Sequence, residues 1–299
     1  MARTLQPNQR AVLHIINVDS GAMTTRFESD ALLFEAPNWS PDGQTLYVNG
    51  DGNLYQLSVE EGDLEQIDLG GLPEINNDHV LSPDGRTMYL SCQDGHIYAF
   101  DLVGGVSRRV TNDRGPKFSH YLHGVSPDGQ TLAYIGLSPA NGDVVTNVYT
   151  IPAVGGEDVQ ITDDGYPDDG SEFSPDGQWI YFNSERGSNL PGHAQLFRVP
   201  VAGGAPEQLT FDERVNWFPH PSPVGGRLVY VSFPPGTLGH PENVDVIVRV
   251  LEEDGTSRDL THLFGGQGTI NVPSWSPDCR RIAFVSYPIG DAMSGSLSD

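Results

Sequence analysis

Three histidines, His79, His123 and His220, stand two or three places ahead of a Ser-Pro pair, and carboxylates hold matching offsets elsewhere in the chain. Three places before the serine lie Pro37, His79, His123, Ser171, Pro219 and Pro273. Two places before it lie Asn38, Val80, Gly124, Glu172, His220 and Ser274. Five places before it lie Glu35, Asn77, Tyr121, Asp169, Trp217 and Asn271. If these stretches occupy equivalent positions around one axis, His79, His123 and His220 converge with Asp78, Asp168, Asp169 and Glu172, with His120, Asn216 and Asn271 close by. Imidazole and carboxylate groups in such a ring can ligate a divalent metal. They can equally supply an acid and a base to a sugar, with Tyr121 and Trp217 as stacking platforms. The ordinary alternative is a polar channel filled with ordered water. No His-x-x-x-His or Cys-x-x-Cys spacing occurs to sharpen the metal reading.

The elements that must position these residues are set by a recurring tetrapeptide. Ser-Pro-Asp-Gly begins at Ser40, Ser82, Ser126 and Ser174, and worn copies begin at Ser222 and Ser276. The serines are 42, 44, 48, 48 and 54 residues apart, a period that belongs to propellers rather than helical solenoids. Proline presets φ at the second turn position, aspartate bonds nearby backbone, and glycine closes a type I turn. An alternating strand follows each turn, as in Thr45-Leu46-Tyr47-Val48, and two more complete a four-stranded unit. The sixth copy ends early. Its missing outer strands are supplied from the start of the chain by residues 12–18 and 23–27, which match the outer pair of the other copies. The expected fold is therefore all-β: a six-bladed β-propeller of four-stranded antiparallel blades, closed by pairing amino- and carboxy-terminal strands in one blade. Closure of this kind removes open sheet edges. The expectation is a single domain over 1–299, with the propeller from about 11 to 287 and a polar tail at 288–299.

Composition narrows the partners. Forty acidic against sixteen basic residues give a formal net charge of -24, which disfavours nucleic acid and anionic membrane surfaces. Solubility is the plain reading of that excess. No apolar run approaches the roughly 18 residues of a membrane span. The start is polar, and Ala11 to Val18 is too short and wrongly flanked for a signal peptide. A cytoplasmic location is therefore expected, or a periplasmic one if the sequence is trimmed at its start. Cys92 and Cys279 fall in different copies, so no disulfide is expected. Two longer insertions stand out: 233–243, between the second and third strands of blade five, and 264–271 with its Gly266-Gln267-Gly268, leading into blade six at the channel mouth. Glycine permits close backbone approach there, and Gln267 and Asn271 are candidate contacts. The stretch from Thr162 to Glu172 is acidic enough to hold a cation, although a solvated loop is its plain reading.

The repeated aromatic or apolar residue before Ser-Pro-Asp-Gly, followed by a strand, resembles the WD40-like (PD40) repeat of the TolB propeller family from about residue 11 to 287. The same repeat is similar to the propellers of prolyl-oligopeptidase-type peptidases and oligogalacturonate lyases. The resemblance implies a bacterial, non-catalytic propeller that binds a protein, peptide or small ligand over its channel face. Its lyase branch implies a metal-assisted carbohydrate-active enzyme with an oligosaccharide substrate, for which the converging His79, His123 and His220, as ligands of a divalent metal, and Glu172 are the candidates in this sequence. TolB proper carries a signal peptide and an amino-terminal α/β domain that do not occur in this sequence. No Gly-x-Ser-x-Gly occurs either, which removes the peptidase reading.

Overall fold

The computed structural model describes residues 3–140 and 143–290; most of the tail expected at 288–299 lies outside that range. Five four-stranded antiparallel sheets follow one another along the chain. Their innermost strands are Phe34–Trp39, Ile75–Leu81, Ser119–Val125, Asp168–Phe173 and Val215–Pro221. The sixth blade joins both ends of the chain. Ala11–Asn17 pairs on one side with Met23–Ser29 and on the other with Arg281–Ser286. Its fourth strand is reduced to a bridge between Trp275 and Ile282.

Five of the six turns are built by the same side chains, whereas in the worn copy at Ser222 the hydroxyl donates to the Gly225 carbonyl at 3.1 Å. The Ser40 hydroxyl donates to Asp42 Oδ1 at 2.6 Å and accepts the Thr45 N–H at 2.9 Å, while Asp42 Oδ1 accepts the Gln44 N–H. The sets starting at Ser82, Ser126, Ser174 and Ser276 repeat this pattern. The turns also interlock around the ring. A Cβ added at Gly85 would lie 3.2 Å from Pro41, and one at Gly43 would lie 3.5 Å from Pro277, so blade six abuts blade one as blade one abuts blade two.

The core lies between blades, because alternate residues of a strand face opposite sides of its sheet. Leu46 and Val48 pack with Leu13 and Ile15 of blade six, whereas Tyr47 packs with Met88 and Leu90 of blade two. Indole donors tie blades together near the axis: Trp39 Nε1 to the Ser274 carbonyl and Trp275 Nε1 to the His220 carbonyl, both at 2.9 Å.

The innermost strands are irregular where the channel residues sit. Pairing shifts between Glu35 and Asn38, Asp169 and Glu172, and Trp217 and His220. In all three blades the fourth residue before the serine takes a left-handed φ: Ala36 at 55°, Gly170 at 69° and Phe218 at 56°. Bulges at such positions re-aim the neighbouring side chains, which is how a strand whose faces are committed to inter-blade packing can also present groups to the axis.

Candidate functional site

The channel opens on the side of the 233–243 insertion into a cavity of about 680 Å³. Tyr121, Trp217 and Phe218 form aromatic walls, Leu238 and His240 of the insertion close one side, and Gln267 and Asn271 form part of the rim. The polar centre of this cavity is Asp78 and His123, both buried, with Asp169 partly exposed beside them.

His123 Nε2 donates to Asp169 Oδ1 at 2.9 Å, and its Nδ1 faces the Asn271 carbonyl at 3.3 Å. Both partners accept, so the ring sits as an imidazolium. Burial alone would depress its pKa, but the neighbouring Asp78 carboxylate and the bond to Asp169 raise it to about 9. Asp169 is held below the usual carboxylate range: burial opposes this, and the contact with His123 prevails. Asp78 is pushed up to about 6 by burial, against the pull of His123. His240 approaches the second oxygen of Asp169 at 3.6 Å and packs edge-on against Trp217 with ring centroids 4.5 Å apart. His240 Nδ1 and Trp217 Nε1 are both buried without a hydrogen-bond partner.

Deeper along the channel, His220 Nδ1 meets Glu172 Oε2 at 2.6 Å and His220 Nε2 meets the Ile270 carbonyl at 3.1 Å. Burial raises the pKa of Glu172, and His220 opposes that shift. Glu172 also lines a second cavity of about 390 Å³ at the opposite mouth, ringed by the turn prolines with Trp39 and Trp275.

The structure thus brings Tyr121, His123, Asp169, Trp217, Gln267 and Asn271 to one cavity, and sets Glu172 and His220 below them as a separate pair. His79 belongs to neither group. It pairs in register with Leu90 and lies against the backbone of Ala36 and Tyr47 in blade one. Both of its ring nitrogens are unpartnered, and burial holds its pKa down at about 4. Asp168 turns away to pair with Arg186 at 2.7 Å. Arg186 also reaches Asp164 at 3.4 Å, which places a counter-charge within the acidic 162–172 stretch. His120 packs among His96, Phe118 and Tyr134, and Asn216 joins a network with Asp212 and Ser232.

The donor chemistry does not suit the three-histidine metal set. A metal needs an imidazole lone pair, and both nitrogens of His123 and His220 face acceptors. Among the described residues no group of three or more His, Cys, Asp or Glu side chains is placed to hold a metal ion, and none of their helices is long and apolar enough to cross a membrane. Sequence offsets alone missed His240 and also Arg3, whose guanidinium donates to Glu35 Oε1 in a small pocket beside the cavity. His240 comes from an insertion that was itself visible in the sequence. Arg3 lies ahead of the first repeat.

Comparison with known proteins agrees with this architecture. The PD40 family model, described as the TolB beta propeller domain, matches residues 97–240. An uncharacterized protein of Agrobacterium fabrum is 38% identical over 286 residues, covering 94% of this chain and 93% of that one. A solved Agrobacterium tumefaciens structure provisionally assigned to TolB is 37% identical, covers 94% of this chain and 99% of its own, and superposes with a TM-score of 0.84. An oligogalacturonate lyase solved with manganese is similar in fold alone, at 17% identity and a TM-score of 0.58 over 88% of this chain and 75% of the lyase.

Proposed function

Because the chain belongs to the TolB-like β-propeller family, we propose that it is a non-catalytic binding module that takes a protein segment, peptide or small ligand into the 680 Å³ mouth of its channel. The observation that carries this reading is the make-up of that cavity. Aromatic walls surround a buried charged centre, and two polar atoms, Trp217 Nε1 and His240 Nδ1, stand there without partners. Buried donors and acceptors left unsatisfied by the protein are costly, and a ligand that bonds to them recovers that cost. Apolar walls with a few convergent polar groups are the usual make-up of a ligand site. The metal-assisted lyase reading has no such support, since both nitrogens of His123 and of His220 face acceptors and His79 lies outside the cavity.

The test is selection of binders from a displayed peptide library on the purified protein, followed by affinity measurement on variants. Trp217→Ala is expected to weaken selected binders at least about tenfold, the loss of one anchoring aromatic. Phe211→Ala, at a site 77% exposed and outside the cavity lining, should leave them unchanged. Binders indifferent to Trp217→Ala would overturn the proposal.

A further inference from the structure

Beside the main cavity, and sharing Asn76, Asn77 and Gln267 with it, lies a smaller pocket of about 140 Å³ whose wall includes Arg3, Glu35 and Asn49. The guanidinium of Arg3 reaches into it from the segment before the first strand. It donates to Glu35 Oε1 and to the Gln267 carbonyl, pairs with Glu242, and lies 4.5 Å from the centroid of the Tyr287 ring. Glu35 is only 7% exposed, and its other oxygen accepts from Asn49 Nδ2 at 3.3 Å. Three kinds of contact thus converge on one planar cation: carboxylates, a carbonyl and an aromatic face. That combination suits a guanidinium better than an ammonium, whose point charge neither forks nor stacks.

Two further details make this a recess for a guanidinium rather than an incidental ion pair. Gly268, in the Gly266-Gln267-Gly268 loop, borders it, and a Cβ there would collide with Glu35 Oε1, the Tyr287 hydroxyl and Arg3 Nη1. The fit of Arg3 is also incomplete, because its Nη2 is buried without a partner. A guanidinium held by an incoming chain could complete what Arg3 leaves open.

We propose that the channel mouth is an arginine-recognition site, that Arg3 occupies it in cis, and that a ligand bearing a guanidinium group must displace Arg3 to bind. The proposal rests on the reading of the mouth as a binding site and names the chemistry that the site selects. A tethered competitor acts at an effective concentration in the millimolar range, so its removal strengthens a weak external ligand.

The probes are acetyl-Gly-Arg-Gly-amide and its lysine counterpart, titrated calorimetrically into the full chain. The arginine peptide should bind Arg3→Ala at least about tenfold more tightly than wild type, in line with that effective concentration. The lysine peptide should show no such gain, and Glu35→Gln in the Arg3→Ala background should abolish binding. Arg3→Lys, which keeps the charge, provides the comparison if Arg3→Ala does not fold, and it too should bind the arginine peptide more tightly than wild type. Equal affinity for wild type and the Arg3 variants would overturn the proposal, as would equal affinity for the two peptides. Library-selected binders that need Trp217 but ignore Arg3 and Glu35 would overturn this inference and leave the broader reading standing. Binders that ignore all three residues would overturn both.

Discussion

At the scale of single residues, the centre of the mouth is one cation held between carboxylates, and that arrangement has a pH signature. The His123 pKa stands at about 9 in the fold against 6.5 for an unperturbed imidazole. The folded protein therefore binds a proton that the unfolded chain releases. The stability this supplies is complete below pH 6.5 and is lost as pH rises through about 9, at up to about 1.4 kcal/mol per pH unit for a single proton. Asp78 acts over a lower range. Burial lifts its pKa from 3.8 to about 6, so ionising it between those values costs stability. Chemical unfolding followed from pH 6 to 10 should show the decline in wild type, and His123→Gln should flatten it while lowering stability at pH 6. A histidine with no part in this cluster would leave the slope intact when replaced. Asp169→Asn should shift the decline to lower pH, because it removes the bond that holds the imidazolium.

At the scale of the element, the Ser-Pro-Asp-Gly turn carries both the legibility of the fold and the limits on reading the site. Ser82 is buried, and its hydroxyl serves two partners, Asp84 Oδ1 at 2.6 Å and the Thr87 N–H at 2.9 Å. Ser82→Ala leaves that N–H without an acceptor at the start of a strand, and should cost about 1–3 kcal/mol in urea unfolding. A loss below about 0.5 kcal/mol would mean that solvent replaces the hydroxyl. The turns are local, so sequence spacing locates them and with them the six blades. The channel residues are local only in part. His79 and His123 hold the same offset from their serines, yet His79 is a paired strand residue opposite Leu90. His123 falls in the bulge between Leu122 and Gly124 and is turned into the cavity. The irregularity falls at one offset in blades one, four and five and is differently placed in blades two and three. A shared distance from the serine therefore does not say which way a side chain turns. His240 and Arg3 have no repeat register at all, so only the folded ring brings them to the mouth.

At the scale of the whole molecule, a net charge of -24 is spread over a closed ring whose ends meet in one blade. At about 10 mM salt the screening length is about 30 Å, and carboxylates on different blades repel one another; at about 1 M it falls to about 3 Å and only contacting pairs still interact. The ion pairs at the surface, such as Arg198–Glu207 at 2.7 Å and Arg227–Asp19 at 2.9 Å, weaken with salt as well. Exposed pairs contribute only about 0–1 kcal/mol each, whereas the excess charge acts on every blade at once and opposes the compact state. Net repulsion should therefore prevail. The thermal midpoint is expected to rise as sodium chloride goes from 10 mM to 500 mM, with most of the gain at the low end, where the screening length changes fastest. The same screening should weaken capture of a cationic peptide at the mouth, so stability and affinity should move in opposite directions over one salt series. A midpoint that falls with salt would show instead that the ion pairs outweigh the field. A rise in both quantities together would mean that apolar contacts with the aromatic walls, rather than charge, dominate binding.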